Sequence, residues 1–289
     1  MKKNIALLVL SCFLYSLLAL SCIHGTGKND NNIQMDTVQI VKTYYFMDDT
    51  LNHACNLQIS FVYPYSADKE ILSIIQDIFV EKVLGYSFVG LSPKKAANSY
   101  LERYIQLFKD FETEQIAYSF LPKSKDETDY TVDYEENSPF SHYAVIKNTV
   151  VYNQNNFISF IVENTSYEGG AHSSNSIYGY VIDLKNKCLL TEEDFTGLNY
   201  EQNLSQVIAA KIADANDIDN PEELENLGYF GINDICPNNN FTIDAKGITY
   251  YFNENEIAGS MVGLTSVFIP YSEIDIYLKN GNPLAALTR

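Results

Sequence analysis

The sequence lacks the residue patterns of the common catalytic and metal centres. It has no tryptophan, and its four histidines, His24, His53, His142 and His172, are scattered along 289 residues. No HExxH, CxxC or GxSxG motif occurs, although zinc hydrolases, dithiol oxidoreductases and serine hydrolases with a nucleophile elbow depend on those spacings. The sequence therefore predicts neither a bound metal nor a cofactor.

Basic residues are scarce relative to acidic ones. The chain has 19 Lys and Arg against 37 Asp and Glu. Residues 1–21 contain two of the lysines and no acidic residue, so the remainder carries 17 basic and 37 acidic residues, a formal charge of −20. Proteins that neutralise phosphates need clustered Lys and Arg, so no nucleic-acid partner is predicted. A cationic partner would be attracted, and the alternative use of the acidity is solubility alone.

One acidic segment partly matches a calcium-binding loop. Asp214, Asn216 and Glu225 fit loop positions one, three and twelve, but Ile218 and Asp219 replace an oxygen ligand and a glycine. We interpret the segment as a solvated acidic loop.

Cysteine is also sparse, and its distribution leaves little room for disulfides. Of five cysteines, Cys12 and Cys22 lie in the N-terminal segment, which leaves Cys55, Cys188 and Cys236. An odd number permits at most one disulfide, with three pairings open.

The first 22 residues have the pattern of a bacterial lipoprotein export signal. Lys2 and Lys3 precede an apolar run over residues 5–20, and Ser21 precedes Cys22. Ala19 stands where a lipobox usually has leucine, and the alternative is an ordinary signal peptide with Cys22 as an incidental thiol. We predict a signal peptide over 1–21, lipid attachment to the membrane through Cys22, and a polar flexible tether over 22–36. The protein is then expected in the cell envelope, at the outer membrane or periplasmic face rather than the inner membrane, because Ile23 is not the aspartate associated with inner-membrane retention.

The remaining pattern predicts an α+β domain over 37–282, with an antiparallel sheet and helices packed on one side. It divides into an N-terminal half over 37–120, an acidic loop over 121–139 and a C-terminal half over 140–282. Gly247 is expected to take a positive φ in a hairpin turn. Strands are predicted over 37–46, 57–63, 142–152, 157–167, 177–184, 241–243, 248–252 and 263–269, and helices over 68–84, from Ser92 to about 111, from Thr191, over 204–212, from Pro221 and over 271–278.

Two blocks resemble a known bacterial extracytoplasmic domain. The first runs Tyr-Glu-Gly-Gly-Ala-His over 167–172, followed by a tyrosine-rich strand, and the second runs from Phe241 to Tyr271. Together they resemble the RsiV/PdaC-type family, known as domain of unknown function 3298 with its 4163-type N-terminal companion. That family includes the lysozyme-sensing region of an anti-sigma factor and a region that accompanies a peptidoglycan deacetylase. The resemblance implies an extracytoplasmic location and an α+β fold, and no catalytic domain like that of the deacetylase is present.

The candidate site lies in and after the first block. His172, beside two serines and four residues after Glu168, is the candidate for catalysis, with Glu168 as its carboxylate. Neighbouring residues of an extended chain point to opposite faces, so His172 and Ser173 are poorly placed as a base and nucleophile. The alternative is a structural histidine in a glycine-turned loop. For binding, the sequence offers Tyr167, Gly169, Gly170, His172, Tyr178 and Tyr180.

Two functions follow from these observations. The first is a lipid-anchored envelope protein of non-enzymatic binding or sensing type, whose partner is a peptidoglycan fragment or an envelope protein such as the cationic lysozyme. The alternative is a cell-wall glycan hydrolase or deacylase that uses His172.

Overall fold

A computed structural model describes residues 31–50, 54–119, 142–168 and 172–288. The predicted signal peptide, Cys22, most of the predicted tether and the acidic loop over 121–139 lie outside these ranges. None of the helices in these ranges is both long enough and apolar enough to cross a bilayer.

Runs of consecutive strands are followed by runs of helices, which is the order expected of an α+β protein. The strands are β1 (Gln34–Tyr45), β2 (Ala54–Ser66), β3 (His142–Gln154), β4 (Phe157–Tyr167), β5 (Ser174–Asp183), β6 (Cys188–Leu189), β7 (Phe241–Ile243), β8 (Gly247–Phe252) and β9 (Thr265–Pro270). The α-helices are α1 (Lys69–Leu84), α2 (Pro93–Ser119), α3 (Glu192–Phe195), α4 (Tyr200–Ala215) and α5 (Tyr271–Ile274). Short 3-10 helices cover Phe46–Asp48, Tyr86–Phe88, Pro221–Leu227, Ile232–Asp234, Asp275–Tyr277 and Pro283–Ala286.

The strands form two sheets. One has six strands in the order β1-β2-β3-β4-β5-β6, and the other is the antiparallel sheet β7-β8-β9. The predicted meander of β3, β4 and β5 is confirmed as antiparallel, and so is the α+β class. One pairing departs from the antiparallel pattern, because β2 and β3 run parallel, with Cys55 opposite His142. Parallel neighbours need a crossover, and α1 and α2 lie between these strands in the chain.

Helices α1 and α2 cover one face of the six-stranded sheet. Alternate residues of β2 and β4, among them Phe61 and Phe160, point into a core shared with the two helices. Phe79 of α1 stacks on Phe160 at 4.3 Å between ring centroids. Pro93 opens α2 at the predicted position, and Gly85 ends α1 with φ of 106°.

The three-stranded sheet packs on the opposite face, over β4 and β5. A second core joins Phe157 and Val181 of the large sheet to β7, β8, β9 and helix α4. The sheets approach closely at Gly179, where a Cβ would lie 2.6 Å from the backbone of Phe241. A hydrogen bond also links the two sheets, because Ser159 Oγ of β4 accepts the Ile243 N–H of β7 at 2.9 Å.

Asparagine side chains cover the edge of β5 that faces away from β4. Asn240 accepts the N–H of Gly179 at 2.6 Å and donates to the carbonyl of Ile177 at 3.0 Å. Asn253 accepts the N–H of Ile177 at 2.8 Å. These bonds satisfy main-chain groups that a further strand would otherwise pair, and they close this edge.

Two boundary expectations and one about a glycine need correction. The tether does not extend to residue 36, because Ile33 is buried and Asn31 donates to the Phe157 carbonyl at 2.8 Å. The fold does not end at 282, because Leu284 is fully buried. Gly247 does not have a positive φ. It is needed for another reason, since a Cβ there would lie 2.2 Å from the carbonyl oxygen of Ile269.

Candidate functional site

Three of the predicted site residues lie at the end of β4 and just before β5. Tyr167 ends β4, and both Glu168 and His172 are exposed beside it. Gly169 and Gly170 fall outside the described residues.

The structure divides the predicted binding tyrosines between two faces of the sheet. Tyr178 and Tyr180 pair with Val162 and Phe160, so they lie on the face covered by α1 and α2. Tyr180 is half-buried with its ring 5.4 Å from that of Phe160, and burial raises the pKa of its hydroxyl to about 12. Tyr178 keeps 39% of its surface exposed. Tyr167 lies on the opposite face, so these side chains do not form one surface.

On that opposite face Tyr167 has a partner that the sequence did not reveal. Tyr143 of β3 lies directly opposite it, and the two rings stack with centroids 5.9 Å apart and planes at 22°. A hydrogen bond from Thr165 to Asn175, 2.9 Å long, lies on the next cross-strand pair. The result is a half-exposed aromatic pair flanked by hydroxyl and amide groups, a composition suited to stacking on a sugar ring.

The charge of Glu168 acts on two tyrosines of helix α2. Burial raises the pKa of Tyr100 and of Tyr104, and the charge of Glu168 adds to both rises. In the described part of the chain, neither His172 nor Glu168 has a hydrogen-bond or ion-pair partner. No base–nucleophile pair therefore forms around His172 among those residues.

The other histidine inside the described ranges is structural. His142 is buried, with its ring 5.2 Å from Phe108 and 5.0 Å from Phe111. Across 31–50, 54–119, 142–168 and 172–288, no group of three His, Cys, Asp or Glu side chains is arranged to hold a metal ion. Cys55, Cys188 and Cys236 all carry free thiols.

A cleft of about 680 Å³ opens between the end of helix α4 and strand β9. One wall comes from the last turn of α4, including Asp214, and the other from residues 264–268. Leu264 and Phe268 supply apolar surface and remain 44% and 42% exposed. No sequence pattern marks this cleft, because about fifty residues of chain separate its two walls.

An acidic segment borders the cleft. It covers residues 214–225, and the cleft is lined by Asp214 at its start and by Tyr229 just after its end. All six of its carboxylates are exposed, and none has an ion-pair partner in the described structure. No Lys, Arg or His occurs between residues 212 and 245. The six carboxylates belong to Asp214, Asp217, Asp219, Glu222, Glu223 and Glu225.

Another carboxylate of the C-terminal part is buried. Glu192, at the start of α3, is 1% exposed and accepts the Asn239 N–H at 2.8 Å. Its own N–H donates to Asn239 Oδ1 at 2.9 Å, so the two residues lock α3 to the strand region before β7. Burial raises the pKa of Glu192 above its ordinary value of 4.5, and the Asn239 hydrogen bond opposes the rise.

This burial predicts a pH dependence of stability. The folded state holds the Glu192 proton more tightly than the unfolded state, so this group's contribution falls as pH rises above about 4.5. It becomes constant once pH exceeds the raised folded-state pKa. Compared with Glu192→Gln, the wild type should lose unfolding free energy across that window in urea titrations. Glu193→Gln, at an exposed neighbour, is the control and should show the same dependence of unfolding free energy on pH as the wild type. The same dependence in Glu192→Gln would contradict the raised pKa of Glu192.

The fold and cleft together define an α+β protein with a cleft in its C-terminal part that an acidic segment borders. Residues 190–272 match the family described as "Protein of unknown function (DUF3298)", so the chain contains a DUF3298 domain there, which confirms the expected resemblance. The cleft residues from Lys211 to Phe268, the acidic segment and Glu192 all lie inside the matched range. The 4163-type companion stays a prediction.

Two solved structures are similar to the chain over most of its length. A DUF3298 family member from Bacteroides fragilis is 25% identical with a TM-score of 0.78, over 91% of this chain and 99% of that one. A DUF3298 family protein from Pseudomonas aeruginosa is 13% identical with a TM-score of 0.57, over 87% and 96%, and shows a likeness in fold alone. No curated protein matches this chain.

Proposed function

We propose that this protein is a lipid-anchored, non-enzymatic binding protein of the cell envelope, and that its partner is a cationic envelope protein such as a lysozyme. The observation that carries the proposal is the acidic segment over 214–225, whose carboxylates are exposed and lack ion-pair partners within the described residues. Unpaired like charges on a surface attract and orient an oppositely charged protein. The predicted lipid on Cys22 would hold this surface beside the envelope.

Titration of the full-length chain with hen lysozyme tests the proposal. We expect saturable binding at low salt that weakens as salt rises, because screening shortens the range of surface charges. An acidic protein of similar size serves as the comparison and should not bind. Absence of lysozyme binding at low salt would remove the proposed partner.

A peptidoglycan fragment is the second candidate ligand, and the stacked pair of Tyr143 and Tyr167 favours it. Sugar rings stack on aromatic faces, and the neighbouring Thr165 and Asn175 offer polar contacts. We expect muropeptides to bind and Tyr167→Ala to weaken that binding by about tenfold. Tyr86→Ala, at a tyrosine exposed elsewhere, is the matched control. Equal muropeptide affinities of the two variants would show that the Tyr143–Tyr167 pair does not bind the glycan.

A further inference from the structure

The cleft beside α4 runs along the edge of a strand. Five consecutive residues, 264–268, line it. Side chains of a strand point alternately to its two faces, so a cleft over one face would contact only every second residue. Contact with every residue in the run means that the cleft lies along the edge of the strand. The opposite side of β9 is paired with β8, and β9 is the last strand of its sheet.

The free edge of β9 offers unpaired main-chain groups. The Tyr271 N–H donates to the Lys246 carbonyl at 3.1 Å. This bond shows which residues of β9 direct their main-chain N–H and C=O groups towards β8. By the alternation of an antiparallel ladder, Val267 and Ile269 also face β8, while Ser266 and Phe268 direct their N–H and C=O groups into the cleft. Strand β9 has no charged residue and its one proline is its last residue, so nothing within it blocks a further strand. The edge of β5, by contrast, is closed by Asn240 and Asn253.

The charges around the cleft select a cationic occupant. The one lysine that lines the cleft, Lys211, is neutralised by Glu273 at 2.8 Å. The six exposed carboxylates of the acidic segment have no such partner among the described residues. The C-terminal end of the sixteen-residue helix α4 also lies in the wall, and the negative end of a helix dipole favours cations.

We propose that the cleft binds an extended segment of a cationic partner protein, which adds as a strand to the free edge of β9. Main-chain hydrogen bonds to Ser266 and Phe268 would hold the segment, and its Lys or Arg side chains would face the acidic segment, as in other strand-addition complexes. Leu264 and Phe268 give the segment's alternate side chains an apolar surface. The inference rests on the proposed function and supplies its binding mode.

A lysine–valine alternating decapeptide and hen lysozyme are the probes, titrated into the full-length chain at low salt. Ser266→Pro removes the edge N–H and should weaken peptide binding at least about tenfold, whereas Ser266→Ala keeps the N–H and should bind as wild type. The triple variant Asp214→Asn, Asp217→Asn, Asp219→Asn should weaken it about tenfold, with less effect at high salt. Its charge-matched control is Asp48→Asn, Glu102→Gln, Glu114→Gln, at exposed acids elsewhere.

Hydrogen exchange separates docking at the edge from a loss of folding. The peptide should slow exchange of the Ser266 and Phe268 amides in the wild type, and thermal unfolding checks that each variant is folded. Should Ser266→Pro unfold, the triple variant and the amide protection still decide the question. Equal peptide affinity in the triple variant and its control, or unprotected amides, overturns the inference. So does a dimer that Ser266→Pro dissociates, because a second copy would then occupy the edge.

Failure of this inference is distinguishable from failure of the proposed function. Lysozyme that binds the wild type, Ser266→Pro and the triple variant equally leaves the proposed partner in place and removes the cleft as its site. Peptide binding that responds to the variants while lysozyme fails to bind supports the cleft and removes the proposed partner.

Discussion

Replacing Gly179 with alanine should destabilise the fold by about 3 kcal/mol, because overpacking at a rigid contact costs energy on this scale. The new Cβ would lie 2.6 Å from both the carbonyl carbon and the oxygen of Phe241. The backbone cannot easily move away, since the Gly179 N–H donates to Asn240 at 2.6 Å and the strand is paired with β4. Relief of the clash would therefore separate the two sheets at their closest point.

Urea denaturation gives the free energy of unfolding directly. Gly259→Ala is the matched control, because a Cβ there would lie 3.8 Å from the Gly228 oxygen, an ordinary van der Waals contact. That variant should change the unfolding free energy by no more than about 0.5 kcal/mol. Similar stabilities for the two variants would show that the sheets separate more readily than their packing indicates.

Replacing Cys22 with serine should move the protein from the membrane fraction to the soluble fraction almost completely. Each buried acyl methylene contributes about 0.8 kcal/mol to membrane attachment. Serine cannot carry the predicted thioether-linked lipid, so the variant would lose this whole contribution. Fractionation with an immunoblot measures the shift, and mass spectrometry of the mature N-terminus identifies the lipid.

Cys12→Ser is the control for that experiment. Cys12 lies within the apolar run over residues 5–20, where serine should leave recognition of the signal unchanged. If both variants fractionate like the wild type, Cys22 does not carry the anchor and the protein is held, or released, by other means.

Local signals in the sequence predicted local structure well. Ser92 and Pro93 mark the start of α2, and Thr191 with Asp194 forms the capping box at the start of α3. The apolar residues that alternate along β2, Leu57, Ile59 and Phe61, are all buried under the helices. These features depend on neighbours within a few positions, which is the range that periodicity and capping report.

Strand register and long-range pairing could not be predicted from such local sequence signals. Counting back from the turn between β3 and β4 would place Tyr143 opposite Glu168. An irregularity between Val150 and Tyr152 shifts the ladder by one residue and places Tyr143 opposite Tyr167 instead. The requirement for Gly247 likewise comes from Ile269 on another strand, not from the turn.

The candidate site was harder to predict than the fold for a related reason. The Tyr167–His172 block was visible as a motif, but the cleft arises only when the end of α4 meets β9. Neither wall has a recognisable sequence pattern. The sequence identifies the acidic segment only as a solvated loop. In the structure, its first residue, Asp214, lies in the cleft along the unpaired edge of β9.

The parallel pairing of β2 with β3 also constrains how the polypeptide matures. Synthesis delivers residues 34–119 first, but the inner edge of β2 stays open until residues 142–147 arrive to pair with residues 55–60. Such late, distant closure slows folding and exposes intermediates to self-association. A prematurely terminated polypeptide that stops before residue 142 would keep this edge bare and become a nucleus for aggregation.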